Sequence, residues 1–381
     1  MATLRTLATS LLTIALFNSA FAAAESINAG DIKASDSLPF DIKPLANFDT
    51  PWALAFLPDG KALVTEKPGH MFLVDQQGNK QAISGVPEVA TGGQNGLLDV
   101  ALAPDFNKSK QVYFSYNAPA NGGSKVTLMK ATLATQSDSL ALTNKKVVWQ
   151  QSEAASGGQP GGRIAFSPDE RYLFFTVGDR MAPDSAQNPA HPSGKIFRLT
   201  LEGGTPDTNP HADDGGVRAQ TWSTGHRTPY GLAFSSNGTL WETEMGPKGG
   251  DELNLIKPEG NYGWGDVSNG DNYDGSPIPD HSTRPEYDAP AVYWTPVISP
   301  GGIALYNRSE FPGWKESLLI SSLSGQGLVR VGINNDNQIG EIERWKLNKR
   351  IRDVAVAPDG AIWLLEDSNP GQLMRLTLKA Q

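Results

Sequence analysis

The 381 residues include no cysteine and carry a formal charge of −9. Without cysteine there are no disulfides and no thiolate metal sites, so stability rests on a large apolar core, which a chain of this length can bury. The acidic balance argues against nucleic acid or an anionic membrane as a partner.

In chain order, residues 1–24 read as a secretory signal peptide, with Arg5, an apolar stretch from Leu11 to Phe17 and the small-residue site Ala20-Phe21-Ala22. The stretch is too short to cross roughly 30 Å of hydrocarbon. The sequence thus predicts a periplasmic or secreted protein with no membrane span. Loss of the leader removes Arg5 and leaves the mature chain still more acidic.

From residue 25 onward, 40 glycines and 27 prolines in the whole chain break up short runs of alternating apolar and polar residues, and long 3.6-period segments are rare. That is an all-β pattern. A strand-turn-strand unit recurs as Ala53-Leu-Ala-Phe-Leu-Pro-Asp-Gly60, Asp99-Val-Ala-Leu-Ala-Pro-Asp105, Arg163-Ile-Ala-Phe-Ser-Pro-Asp169, Gly231-Leu-Ala-Phe-Ser-Ser-Asn-Gly238 and Asp353-Val-Ala-Val-Ala-Pro-Asp-Gly360. A degenerate sixth copy starts at Gly302-Ile-Ala-Leu-Tyr306 and continues at Leu318-Leu-Ile-Ser321. Six repeats at this spacing predict a six-bladed β-propeller over residues 25–381, since a β-sandwich does not repeat one unit along its whole length. In a propeller the innermost strands line a central channel, and loops from different blades meet at its mouth. The glycine-rich insertions Gly157 to Gly162 and Gly246 to Gly275 are candidates for that face, or else solvated loops without a role.

Four segments combine polar groups with glycine: Gly92 to Leu98, Gly225 to Gly231, Glu244 to Glu252, and Lys349 to Asp353. In the last, strand alternation points Arg350 and Arg352 to one face. Paired guanidiniums need an anion between them. A ligand bearing carboxylates or phosphates meets that need, and so does a carboxylate of the protein. Metal signals are sparse: no histidine pair has zinc spacing, and Asp271-Asn-Tyr-Asp-Gly275 lacks the rest of a calcium loop. The Gly246-Pro247 turn offers backbone carbonyls to a hard cation.

Gln94-Asn-Gly-Leu-Leu98, Gly162-Arg163, Gly178-Asp179-Arg180, Gly194-Lys195-Ile196, Gly225-His-Arg227, Gly246-Pro247 with Asp251-Glu252, Gly260-Asn-Tyr-Gly-Trp264, Trp294 and Arg350-Ile-Arg-Asp353 occur in that order. As an ordered set they resemble the soluble aldose sugar dehydrogenases and glucose dehydrogenases that depend on pyrroloquinoline quinone (PQQ). The resemblance implies a PQQ-binding propeller with a calcium ion, oxidising aldoses to lactones by hydride transfer and passing electrons to an external acceptor. It implies that Gln94, Arg227, Thr228, Arg350 and Arg352 contact the cofactor and that the carbonyls of Gly246 and Pro247 ligate calcium. Trp294 is a stacking platform for the sugar or a core residue.

The chain departs from the family pattern where chemistry is concerned. Gln159 stands at the place of the family's proton-accepting histidine, and an amide cannot take a proton. Thr228 replaces an asparagine, Met245 a frequent histidine, and Ser324 falls near a cofactor-binding lysine. Substitute bases are His226 and Asp179, the latter expected to have a depressed pKa beside Arg180. Two other readings stand beside the dehydrogenase: a quinone- or sugar-binding propeller without turnover, and a calcium-dependent lactonase. No Cys-x-x-Cys-His motif is present to attach a c-type haem.

Overall fold

The computed structural model describes residues 25–136, 139–155 and 157–380. The expected signal peptide lies outside the described residues. The described residues fold into β-sheets, one of eight strands, one of five, three of four and one of two, with short helical turns between them.

Each repeat unit begins on the first strand of a four-strand antiparallel run. These first strands are Pro51–Phe56, Leu97–Leu102, Gly161–Phe166, Pro229–Phe234, Pro300–Tyr306 and Ile351–Val356. Each packs beside the next, and Ile351–Val356 packs beside Pro51–Phe56, so the six form a closed ring. All six bury their first four residues and leave the next two half-buried. The first and second runs merge into the eight-stranded sheet where Lys80–Ser84 pairs in parallel with Ser139–Gln150. The last run takes its outer strand, Phe40–Phe48, from the other end of the chain, where it pairs with Gly371–Leu378 and ties the termini together.

Two features hold the ring. Hydroxyls on the second strand of a run reach the first strand of the following run: Thr65 donates to the Leu98 carbonyl (2.7 Å), Ser115 to Gly162 (2.6 Å), Thr176 to Pro229 (3.0 Å) and Ser321 to Arg352 (3.2 Å). Arg163 then fills the centre. Its guanidinium contacts Asp99 (3.1 Å), Asp353 (2.9 Å) and the carbonyls of Tyr230 and Gly301, and it lies 4.3 Å from the ring centre of Trp52. One side chain thereby touches all five other first strands. The opening positions of the six repeats explain how it fits: Ala53, Gly231 and Gly302 are small, while Asp99 and Asp353 are its counter-ions. A Cβ on Gly302 would collide with Asp353 and come within 2.8 Å of Arg163 Nη2.

The apolar core lies between neighbouring sheets. Trp52, Trp241, Trp294, Trp363, Tyr113 and Phe175 are among its most deeply buried members.

Candidate functional site

The chemistry-bearing residues gather at one end of the ring for a topological reason. Gln94, Gln159, Arg227, Ser299 and Arg350 each precede a first strand closely. Lys67, Asp179, Met245, Leu323 and Asp367 each follow the antiparallel second strand of a run. Starts of first strands and ends of second strands lie at the same end of an antiparallel pair, so segments far apart in sequence meet at one mouth.

Part of this mouth is a cavity lined by Trp52, Lys67, Gln94, Tyr230, Met245, Arg350, Arg352 and Asp367, among others. Arg350 and Arg352 do share a face, and the anion between them is Asp367. Arg350 Nε and Nη2 donate to one carboxylate oxygen at 3.2 and 3.0 Å, and Arg352 Nε and Nη2 to the other at 3.3 and 3.1 Å. Burial pushes the Asp367 carboxyl up, but the two guanidiniums outweigh it and hold the pKa below the ordinary value. Gln94 lines the same cavity, and its Oε1 accepts from Tyr230 Oη (2.9 Å) and from the backbone N–H of Gln159 (2.6 Å).

Gln159 links this cavity to a second cluster. The residue is buried, with a left-handed φ of 51°. In the amide orientation that satisfies both ends, its nitrogen donates to Asp179 and its oxygen accepts from Arg227 Nη2 at 2.9 Å. Asp179 also accepts from Trp264 Nε1 (2.7 Å) and the Met181 N–H (2.9 Å). Its pKa is raised, to about 6, because burial outweighs these donors and the Arg227 charge. The expected depression is thus corrected. Arg180 turns away to Asn95, Gly158 and Ser124 and lends Asp179 no close positive partner.

Arg227 is gripped by its surroundings. Nη1 donates to the carbonyls of Met245 (3.0 Å) and Gly246 (2.9 Å), and the guanidinium lies 5.1 Å from the Trp264 ring and 5.8 Å from that of Tyr273. Its Nε is buried without a hydrogen-bond partner among the described residues. The Gly246-Pro247 turn is held by Asp251, which accepts from the N–H groups of Gly246, Ile298 and Ser299 (2.9, 2.7 and 2.6 Å). Thr228 is buried, and its hydroxyl has no partner among the described residues.

Two expected residues lie elsewhere. His226 is fully buried, stacked on Tyr262, with Ser223 Oγ and Glu244 Oε1 on its two ring nitrogens at 2.9 and 3.1 Å. Trp294 is also fully buried, packed in the core with Trp241, Leu253 and Val292, so it offers no ring face to a sugar. The exposed aromatic at the mouth is Tyr273, whose hydroxyl accepts from Arg227 Nη2 (3.3 Å).

Beneath the mouth, Asn254 Nδ2 lies 3.1–3.2 Å from carboxylate oxygens of Glu242, Glu244 and Glu252. Burial, reinforced by the neighbouring carboxylates, pushes Glu242 and Glu252 well above the ordinary range. Among the described residues, His226, Glu242 and Glu244 form the group whose ligating atoms all fall within 4.8 Å.

Lys67 and Asp367 were not singled out from the sequence as part of the mouth, whereas Trp264 and Tyr273 lie within the insertion Gly246 to Gly275 that was a candidate for it. For Lys67 and Asp367 a usable signal existed, since both directly follow the second strand of a repeat.

Fold and site together define an all-β protein with a cation-rich mouth suited to an anionic ligand. The chain belongs to the glucose/sorbosone dehydrogenase family, whose model matches residues 48–375. It is 35% identical over 336 residues to the aldose sugar dehydrogenase YliI of Escherichia coli K12, covering 86% of this chain and 90% of that one. A crystal structure of a glucose dehydrogenase superposes with a TM-score of 0.84 at 38% identity, covering 90% of this chain and all of the other. The PQQ-bound aldose sugar dehydrogenase of Streptomyces coelicolor superposes with a TM-score of 0.73 at 26% identity, covering 91% of this chain and all of the other. Among the described residues no helix is long and apolar enough to cross a membrane.

Proposed function

We propose that this chain is an exported aldose dehydrogenase that oxidises its sugar with PQQ at the mouth and delivers electrons to an external acceptor. On this reading, residues 1–24 are a signal peptide, 25–381 are a six-bladed propeller, and the mature protein is periplasmic or secreted. The closed ring of six first strands supports the blade count.

The observation that carries the functional reading is the donor set at the mouth. Arg350 and Arg352 supply paired guanidiniums, and Arg227 has a buried orphan Nε. Guanidiniums suit a ligand that bears several carboxylates. Two neighbouring carbonyls, of Met245 and Gly246, already face a cationic group, Arg227. With Pro247 they would offer the oxygen donors that calcium prefers. When bound, the quinone supplies the two-electron acceptor and calcium a Lewis acid.

The chain's own residues supply positioning and proton handling. Gln94 holds the backbone of Gln159, and Gln159 spans Asp179 and Arg227. Asp179 is the group suited to accept the sugar hydroxyl proton, because a carboxyl poised near 6 is ionised at neutral pH yet basic enough to take a proton. Trp264 and the Met181 N–H hold that carboxylate in place.

A second reading is favoured by Gln159 itself, which cannot act as a base and covers Asp179. It makes the chain a quinone-binding propeller without turnover. Reconstitution with PQQ and calcium, followed by a dye-linked assay over a panel of aldoses, separates the two. Binding with turnover supports the dehydrogenase, binding without turnover supports the second reading, and no binding defeats both.

A further inference from the structure

The mouth contains a cation that the reading above leaves without a role. Lys67 directly follows the strand Ala62–Glu66, the place that Asp367 takes after Ile362–Glu366. Its backbone is fixed on both sides: the N–H donates to the Thr50 carbonyl (3.1 Å), and its own carbonyl accepts from the Leu97 N–H (3.0 Å). Gly96 makes this approach possible. A Cβ at Gly96, whose φ is +152°, would sit 2.5 Å from the Lys67 carbonyl oxygen. The loop that carries Gln94 therefore lies against Lys67, and both side chains line one cavity.

Among the described residues the Lys67 ammonium makes one hydrogen bond, to the Gly93 carbonyl at 2.6 Å. An ammonium has three donors, so two are left for a ligand. Burial lowers its pKa, the Arg352 charge lowers it further, and Asp367 opposes both.

Charge in the cavity is unbalanced. Lys67, Arg350 and Arg352 are three cations, and Asp367 is the one carboxylate among the lining residues. Asp367 is already shared between the two arginines. Like charges held together in a partly buried cavity repel one another more strongly than in water, and an anion of two or more charges relieves that repulsion.

We infer that Lys67 is a ligand-binding residue that pairs with a carboxylate of the bound molecule separate from the one held by Arg350 and Arg352. Its role rests on the quinone reading and extends it: the mouth selects a ligand with at least two spaced carboxylates, and Lys67 reads the second.

The test is a PQQ titration of the calcium-loaded full chain, followed by tryptophan fluorescence quenching, at low and high salt. Wild type is compared with Lys67→Gln and Lys67→Arg, alongside thermal melts. Glutamine keeps a donor for the Gly93 carbonyl but has no charge. The expected result is a Kd raised about 10- to 100-fold in Lys67→Gln, with a shallower salt dependence and an unchanged melt, and a Kd within a few-fold of wild type in Lys67→Arg. Wild-type Kd and salt dependence in Lys67→Gln would overturn the role of Lys67 and leave the quinone reading intact. Binding lost together with the melt in both variants would make Lys67 a tether for the Gly93 loop and overturn the inference. A wild type that does not bind PQQ overturns both.

Discussion

Arg163 and Asp353 sit 2.9 Å apart at the centre of the ring, both buried, and join the first strands of two runs that are not neighbours in the chain. Asp99 completes the triad from a third run. Burial raises the Asp99 carboxyl to about 6 even against the Arg163 charge. Such a triad specifies which strands meet more than it adds stability, because desolvation offsets much of the attraction. Removing one partner is another matter. Arg163→Met should destabilise the fold by about 3–5 kcal/mol, since it strands two buried carboxyls. Chemical denaturation would show this as a lower midpoint, and the loss should shrink as pH falls and the carboxyls protonate. A variant as stable as wild type would mean that the triad does not hold the ring.

The Arg350 and Arg352 pair should dominate cofactor affinity. Changing both to alanine is expected to weaken PQQ binding by about 10²-fold or more, since hydrogen bonds to charged groups are each worth about 1.5–3 kcal/mol. Equilibrium titration measures this directly. Unchanged affinity would make the pair a structural partner of Asp367 and nothing more.

Asp179 sets the expected pH dependence. With its carboxyl near 6, the group is protonated and unable to accept a proton at pH 5, and ionised at pH 7. Turnover should therefore rise with pH through a limb near 6 and level off above it. Asp179→Asn should abolish the limb and lower kcat by about 10²-fold or more while PQQ still binds. A limb that survives in Asp179→Asn would assign it to another group.

Gln159→His is expected to raise turnover by about 10²-fold or more, because it puts a group able to take a proton where the amide stands. The Asp179 contact that now holds the amide nitrogen would orient the imidazole and, with the Arg227 contact given up, leave its second nitrogen to take the proton. Steady-state assays on the reconstituted enzyme test this. A variant that binds PQQ but gains nothing would favour the reading without turnover.

Extracting calcium should lower PQQ affinity, and adding it back should restore it, if the Gly246 and Pro247 carbonyls hold the ion. Titration of EDTA-treated protein with and without calcium gives the answer, and equal affinities would remove calcium from the site.

The sequence by itself determined the strands, because period-two alternation and the Pro-Asp-Gly turns are local properties of the chain. It also determined the repeat, and with it the end of the ring at which functional residues collect. Gln94, Gln159, Arg227, Arg350 and Arg352 could be named in advance because the motifs that hold them resemble those of the sugar dehydrogenase family, and strand alternation pairs the last two. Only the tertiary structure decided what those side chains meet. His226 and Trp294 lie beside the right motifs, yet both are fully buried, His226 on Ser223, Glu244 and Tyr262 and Trp294 in the apolar core. Asp179 follows the same rule in reverse: its neighbour in sequence, Arg180, points away, and burial, outweighing the Trp264 donor, raises a pKa that the sequence alone would have lowered. Asp367 and Lys67 share a repeat position, directly after a second strand, but what they meet in the cavity is set by contacts with residues remote in the chain. Such contacts leave no periodic trace, because the electrostatics of a site depend on distance in space and on the water excluded between charges.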